Sequence, residues 1–93
     1  MLNLFGCRKV QDLSPLAGAP LTDLDLGGTQ VADLSPLRGR KLAKLNLSQT
    51  PVMDLSPLAS CKDLKSLRLQ GTKVTVAEIA TLQKALPECK IEP

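Results

Sequence analysis

The sequence of 93 residues contains no histidine, tryptophan or tyrosine, and Phe5 is its single aromatic residue. Without imidazole groups, nucleophiles activated by histidine and metal sites ligated by histidine are excluded. Binding of nucleic acid by base stacking needs a row of aromatic side chains, which one phenylalanine cannot supply. The net charge of +3 is also too small to indicate a surface that follows phosphates. We therefore expect no nucleic-acid partner.

Long apolar runs are also missing. The chain has 19 leucines, but charged residues, proline and glycine interrupt every stretch well before the ~20 apolar residues that a membrane span needs. The first nine residues place their charges after the apolar residues, unlike a signal peptide. The three cysteines, Cys7, Cys61 and Cys89, form no CxxC motif and cannot all pair within one chain. These features predict no membrane span, reduced thiols and a cytoplasmic location.

What the sequence does contain is an internal repeat. Asp-Leu-Ser-Pro-Leu occurs at 12–16, 33–37 and 54–58, at a spacing of 21 residues. A Leu-x-x-Leu-x-Leu pattern precedes the later copies and recurs from 64, with spacings of 21 and 22 residues. Alternation within Leu-x-Leu is typical of a short strand with its leucines on one side. The same phase predicts five strand-like units in all, the first at Leu2 and Leu4 and the last at Leu86, Cys89 and Ile91.

A shared turn follows the strand-like units, with Thr29, Thr50 and Thr72 in equivalent positions. At these residues the sequence resembles the leucine-rich repeat family, whose pattern is LxxLxLxxN with Thr or Cys sometimes replacing Asn. The LxLxxTxVxDLSPL pattern looks most like the internalin-type repeats of bacterial proteins, and the match covers essentially the whole chain. The resemblance implies an α/β solenoid with short parallel strands on its concave face and short helical turns on its convex face. It also implies that the solenoid recognises protein.

Two kinds of helical segment are predicted on the convex side. In each Asp-Leu-Ser-Pro-Leu copy, Ser is a good N-cap and Pro a good first helical residue, so a short helical turn should begin there and end at stop signals such as those at 18–20 and Gly39. Residues 75–78 form a capping-box sequence, and the apolar residues that follow at helical spacing predict a longer helix of about three turns that ends near Pro87. These apolar residues are Val76, Ile79, Leu82 and Leu86.

These elements predict a single leucine-rich-repeat domain over 1–93, with about four repeats plus a final strand. Its N-terminal repeat would be truncated, and 75–93 would be a terminal, cap-like unit. The uncapped first strand would also permit self-association through that edge.

The residues between the inward leucines should form three stacked columns on the concave sheet. They read Met1, Asp23, Lys44, Ser66, Glu88; then Asn3, Asp25, Asn46, Arg68, Lys90; then Phe5, Gly27, Ser48, Gln70, Glu92. The inward positions repeat while these outward positions vary. From them we predict a partner-binding surface formed by Phe5, Asp23, Asp25, Lys44, Asn46, Ser66, Arg68 and Gln70.

The sequence thus favours a non-catalytic module that binds a protein or peptide segment on its concave sheet, with no catalytic, cofactor-binding or metal-binding residue. Asp23 and Asp25 lie on an open face near Lys44, whereas an acid/base pair needs a buried pocket that raises one pKa. Two alternatives stay open. The columns are a solvated face with ordinary cross-strand pairs, or the chain is a structural C-terminal cap of a longer repeat protein, including one attached to a catalytic domain.

Overall fold

Five short strands form one parallel sheet in the computed structural model, which describes residues 2–9, 11, 13 and 21–92. The strands are β1 (Leu2–Asn3), β2 (Asp23–Asp25), β3 (Lys44–Asn46), β4 (Ser66–Arg68) and β5 (Lys90–Glu92), and they lie side by side in chain order. Each neighbouring pair is parallel, which confirms the predicted solenoid. Outside the described residues lie the first Asp-Leu-Ser-Pro-Leu copy (12–16) except for Leu13, the stop signals at 18–20, Met1 and Pro93.

The core is a stack of inward-facing leucines. Leu24, Leu45 and Leu67 stand at the centres of β2, β3 and β4 and are almost completely buried. They are also paired in register, so the side chains of successive repeats lie directly on one another. Burying one leucine side chain contributes about 1.5–3 kcal/mol, and here each contribution depends on the repeat above and below.

The threonines after the strands hold the turns, as predicted. The Oγ1 atoms of Thr29, Thr50 and Thr72 donate to the carbonyl oxygen three residues earlier, at 2.7, 2.6 and 2.7 Å respectively. Thr29 and Thr50 are buried, so their hydroxyls satisfy backbone carbonyls that water does not reach.

Short 3-10 helices form the convex side at Ser35–Leu37 and Ser56–Ser60. The prediction that serine caps them is wrong, because each helix begins at the serine itself and has no side-chain cap. The aspartate two residues earlier takes that role: the carboxylates of Asp33 and Asp54 each accept a hydrogen bond from the serine N–H at 2.9 Å. Aspartate is suited to such a turn because its short side chain reaches the backbone two residues ahead.

A longer helix, α1 (Val76–Ala85), follows β4 and confirms the predicted change of element. Thr75 is its N-cap, with Oγ1 accepting from the Glu78 N–H at 3.2 Å. The second hydrogen bond of a capping box, from the Thr75 N–H to the Glu78 carboxylate, is not among those of the described residues, so that part of the prediction is wrong. The Glu78 carboxylate accepts from the Leu55 N–H at 3.0 Å and so links α1 to the repeat before it.

The apolar face of α1 is narrower than predicted. Leu82 and Leu86 are buried and Ile79 is partly buried against the core. Val76 is 82% exposed, so its prediction as an inward residue is wrong. Val76 is the first residue of α1, which packs against the Ser56–Ser60 helix.

The register of the last strand differs from the expected period. The pairs Leu2–Leu24, Leu24–Leu45 and Leu45–Leu67 are 22, 21 and 22 residues apart, as predicted. Ile91, however, pairs with Leu67, a spacing of 24 residues, whereas the period placed Cys89 there. The repeat that contains α1 uses two more residues to return to the sheet. Each outward position of β5 is therefore filled by the residue two places later in the sequence than the period predicts.

Candidate functional site

The concave face of the sheet brings six of the eight predicted site residues together. Asp23, Asp25, Lys44, Asn46, Ser66 and Arg68 line one shallow cavity of about 290 Å³ on that face. Phe5 lies outside this cavity, in a second one of about 410 Å³ beside the first three turns. Gln70 is exposed and borders neither of the two.

The observed register defines two columns on this face. The first column consists of Asp23, Lys44, Ser66 and Lys90, and the second consists of Asn3, Asp25, Asn46, Arg68 and Glu92. Glu88 and Lys90 therefore do not occupy the positions predicted for them. Glu88 precedes β5 and forms an exposed ion pair with Lys65 at 3.5 Å, while Lys90 and Glu92 replace the expected residues.

Second-column side chains hold the turns that follow their strands. The Oδ1 atoms of Asp25 and Asn46 each accept from the backbone N–H two residues ahead, at 3.0 Å. Asn3 makes the same bond at 2.9 Å. The Asn46 side-chain amide also donates to Asp25 Oδ1 at 3.0 Å, which joins two neighbouring repeats. These residues thus have a structural role that the alternation of the sequence does not reveal.

At the other end of the second column, Arg68 is paired with Glu92. Their Nε and Oε2 atoms are 3.7 Å apart, and 58% of the Arg68 side chain is exposed. An ion pair this exposed contributes between 0 and about 1 kcal/mol. The pair therefore neutralises charge locally, although a pair this weak does not fix the guanidinium in place.

The first column is chemically different, because its side chains are not engaged within the described part of the chain. Asp23 and Lys44 are direct neighbours in the register, yet no ion pair within 4.0 Å joins them. Ser66 and Lys90 have no side-chain hydrogen bond to the described residues either. Lys44 and Lys90 are exposed, whereas Asp23 and Ser66 are partly buried. This column presents one carboxylate, two ammonium groups and one hydroxyl to an incoming ligand.

Phe5 covers a glycine backbone rather than contributing to the cavity between the columns. A Cβ placed on Gly27 would lie 2.8 Å from Phe5 Cδ2 and 3.2 Å from Asn46 Nδ2, so the absence of a side chain there lets the ring pack down. Even so, 63% of Phe5 is exposed. An exposed aromatic side chain resting on backbone is the type of residue that interfaces use as an anchor.

Sequence reasoning missed Gln49 in this region. Gln49 has φ +59°, whereas the equivalent turn positions hold Gly28 and Gly71 at φ +74° and +76°. Left-handed backbone is unfavourable for a residue with a Cβ, so the Gln49 backbone is strained. The Gln49 side chain lies across Gly71 and borders the same cavity as Phe5. Comparison with the glycines of the other turns could have identified Gln49.

The two buried cysteines are not activated for chemistry. Burial raises the pKa of both the Cys61 and the Cys89 thiol, which disfavours the reactive thiolate. The Cys61 thiol donates to the Leu37 carbonyl oxygen at 3.2 Å. Across the described residues, no group of three or more Cys, Asp or Glu side chains is placed to hold a metal ion. Within the same residues, no helix has the length and apolar character that a membrane crossing requires.

Comparison with solved structures identifies the architecture. The chain is similar to internalin C2 of Listeria monocytogenes, with a TM-score of 0.79 and 32% identity, over 89% of this chain and 36% of that one. An internalin (inlF) of the same organism matches with a TM-score of 0.73 and 30% identity, over 90% of this chain and 25% of that one. The chain is an internalin-like leucine-rich-repeat protein.

This internalin-like chain also has the fold of a leucine-rich-repeat protein of Leptospira interrogans. That match has a TM-score of 0.63 and 16% identity, over 91% of this chain and 28% of that one. The internalin-like chain thus spans about a third or less of the length of these structures. No protein-family model matches the sequence, and no curated protein sequence matches it.

Proposed function

We propose that this internalin-like chain is a non-catalytic protein-interaction module that holds a protein or peptide segment on its concave sheet. The observation that carries the proposal is the unengaged first column, of which Asp23, Lys44 and Ser66 line an open cavity together with Arg68. Charged groups that are left unpaired beside a concavity can form charge-assisted hydrogen bonds with a ligand without breaking internal ones. The second column supports the proposal indirectly, because its turn bonds keep the face rigid.

The size of the face determines the affinity that we expect. Five strands at ~4.8 Å spacing, each counted with its flanking residues as about five residues at ~3.3 Å per residue, give a face of roughly 20 by 16 Å, or about 300 Å². A stable protein interface buries about 800 Å² on each partner. The concave sheet of the chain alone should therefore bind a peptide weakly, with a Kd on the order of 100 μM or above.

Peptide selection combined with NMR tests the proposal. Peptides selected from a random display library on the immobilised chain are titrated into ¹⁵N-labelled protein. We expect the amide shifts to change at Lys44, Ser66 and Arg68. Lys44→Glu should weaken binding about tenfold, because attraction at that position becomes repulsion. The matched control is Lys84→Glu, which makes the same charge change on α1 and should leave Kd unchanged. If the selected peptides shift only amides outside the sheet, or if both variants weaken binding equally, the proposal is refuted.

The second candidate function is structural, with the chain as a C-terminal cap of a longer solenoid, including one joined to a catalytic domain. Two observations favour it. α1 takes the place that 3-10 helices hold in the repeats before it, and β1 pairs on one side only within the described residues. In this case the outer edge of β1 should seek a neighbour. Light scattering should then give a molar mass that rises with concentration, and Leu4→Lys, at a leucine that the chain buries only partly, should reverse the rise. A monomer at every concentration would contradict this candidate.

A further inference from the structure

The first column carries its charges in a fixed order across the sheet. Asp23 on β2 is followed by Lys44 on β3, Ser66 on β4 and Lys90 on β5, and each is the direct register partner of the next. The column therefore reads negative, positive, neutral, positive. The repeat period of the sequence predicts Glu88 at the fourth position, so this order of charges follows only from the observed pairing of β5.

The spacing of the column matches that of an extended peptide. Neighbouring strands are about 4.8 Å apart, so the backbone positions of Asp23 and Lys90 are separated by about 14 Å. An extended chain rises about 3.3 Å per residue and presents every second side chain to the same face. Three such side chains at alternate positions span about 13 Å. The two distances differ by less than the reach of a lysine side chain.

The neighbouring residues favour a ligand that runs along this column. The second column is occupied by its own hydrogen bonds at Asp25 and Asn46 and by the Arg68–Glu92 pair. Its charges are therefore satisfied locally, while those of the first column are not satisfied within the described residues. A ligand gains the most charge-assisted contacts by crossing the strands above the first column.

We propose that the occupant of the concave sheet is an extended peptide segment with one basic and two acidic side chains at alternate positions, in the order basic, acidic, acidic from β2 to β5. The basic side chain pairs with Asp23, and the two acidic side chains pair with Lys44 and Lys90. The Ser66 hydroxyl, between the two lysines, hydrogen-bonds the peptide backbone. This inference rests on the proposed function and specifies the chemistry of its partner.

Two synthetic peptides of equal composition test the order of charges. The matched peptide contains Lys-Ala-Glu-Ala-Glu, and the reordered peptide contains Glu-Ala-Lys-Ala-Glu, which fits the column in neither direction. Both are capped at their ends and titrated into the ¹⁵N-labelled chain at low ionic strength, where screening is weak. We expect the matched peptide to bind about tenfold more tightly and to shift the amides of Asp23, Lys44 and Lys90.

A charge-swapped protein provides the decisive comparison. The double variant Asp23→Lys/Lys44→Asp keeps the net charge and the composition but changes the column to positive, negative, neutral, positive. It should therefore prefer the reordered peptide. Should the double variant lose its dispersed amide spectrum, the single variant Lys44→Glu replaces it and should abolish the preference, because each peptide then makes two attractive contacts and one repulsive contact. Lys84→Glu is the control that keeps the preference.

The outcomes separate this inference from the function on which it rests. A preference for the matched peptide that the double variant reverses supports the charge order. Equal binding of both peptides, with shifts on the sheet, overturns the charge order while the concave-face function stands. The same holds if neither peptide binds but library-selected peptides of another pattern shift the sheet amides. If neither these two peptides nor the library-selected ones shift the sheet amides, both proposals fail.

Discussion

Replacing Thr50 with valine should destabilise this solenoid more than the same change at Thr29, although both threonines are buried and hold equivalent turns. Valine keeps the shape of threonine and removes the hydroxyl. At Thr50 that hydroxyl donates to the Leu47 carbonyl oxygen at 2.6 Å, and no backbone N–H in the described residues donates to the same oxygen. At Thr29 the equivalent acceptor, Leu26 O, also receives the Thr29 backbone N–H at 3.2 Å.

The difference between the two sites sets the expected magnitudes. Losing a buried hydrogen bond whose acceptor keeps another donor costs about 1 kcal/mol, which we expect for Thr29→Val. Leaving a buried carbonyl without any donor costs up to about 3 kcal/mol, so we expect about 2 kcal/mol for Thr50→Val. Thr72 is partly exposed, and the Leu69 carbonyl that accepts from its hydroxyl also accepts from the Thr72 backbone N–H, so Thr72→Val should cost about 0.5 kcal/mol.

Urea unfolding followed by far-ultraviolet circular dichroism measures these costs, since the chain lacks the tryptophan and tyrosine needed for fluorescence. With an m value of about 1–2 kcal/mol per M, the Thr50→Val midpoint should fall by about 1–2 M. The control is Thr81→Val, which removes an exposed hydroxyl that donates to the Ala77 carbonyl on α1 and should change stability by less than about 0.5 kcal/mol. If Thr50→Val and Thr29→Val have equal midpoints, an unpaired carbonyl does not determine the cost and the reasoning is refuted.

Three further outcomes follow from other contacts. Glu78→Ala should cost about 1–2 kcal/mol in urea unfolding, since it removes the acceptor for the Leu55 N–H between α1 and the preceding repeat. Gln49→Gly should raise the free energy of unfolding by about 0.5 kcal/mol, and with it the urea midpoint, because glycine relieves the strain at φ +59°. The third outcome concerns acid. Hydrogen bonds from the serine two residues ahead hold the pKa of both Asp33 and Asp54 below the ordinary value of an aspartate. The side-chain hydroxyl of Ser35 has the larger effect on Asp33, and the backbone N–H of Ser56 has the larger effect on Asp54. A carboxyl with a lowered folded-state pKa stabilises the fold above its unfolded pKa, so stability should fall below about pH 4, and Asp33→Asn/Asp54→Asn should flatten that fall.

Each of these outcomes has a matched comparison. Glu88→Ala removes a carboxylate whose ion pair is exposed and should cost almost nothing, so equal losses for the two glutamates would contradict the role given to Glu78. Gln70→Gly replaces an exposed glutamine without positive φ and should lose stability, so a loss at both glutamines would contradict the strain argument for Gln49. An unchanged acid dependence in the double asparagine variant would show that other carboxyls control it.

The repeat length could be predicted because it follows from chemistry that every unit shares. A strand of alternating leucines, a threonine turn and a short convex segment recur in phase, and stacking requires that equivalent leucines pair. The unit that contains α1 does not keep this spacing, because the pairing of its strand depends on where the chain returns to the sheet rather than on the number of residues in the unit. The capping sequence at 75–78 predicted a longer helix, and a longer helix implies a longer unit. That consequence would have placed Ile91, rather than Cys89, opposite Leu67.

The outward residues could be predicted individually but not sorted by role. Alternation identifies Asp23 and Asp25 equally as outward, and their residue type is the same. They differ because Asp25 is the last residue of its strand, where a short acceptor side chain reaches the N–H of Gly27. Asn46 occupies the equivalent position and does the same for Ser48. Asparagine or aspartate at the end of a strand, directly before a turn, is therefore a sequence feature from which this role could have been inferred.

This division explains how a small repeat unit can keep its shape while its surface varies. Each three-residue strand has one inward residue, which must be apolar, and two outward ones. One outward residue of β2 and of β3 bonds the turn that follows, so replacing it would affect stability and binding together. The other, at Asp23 and Lys44, makes no ion pair within the described residues. Selection for a new partner can therefore act on the first column with little cost in stability, and the recognition properties of the sheet should depend mainly on that column.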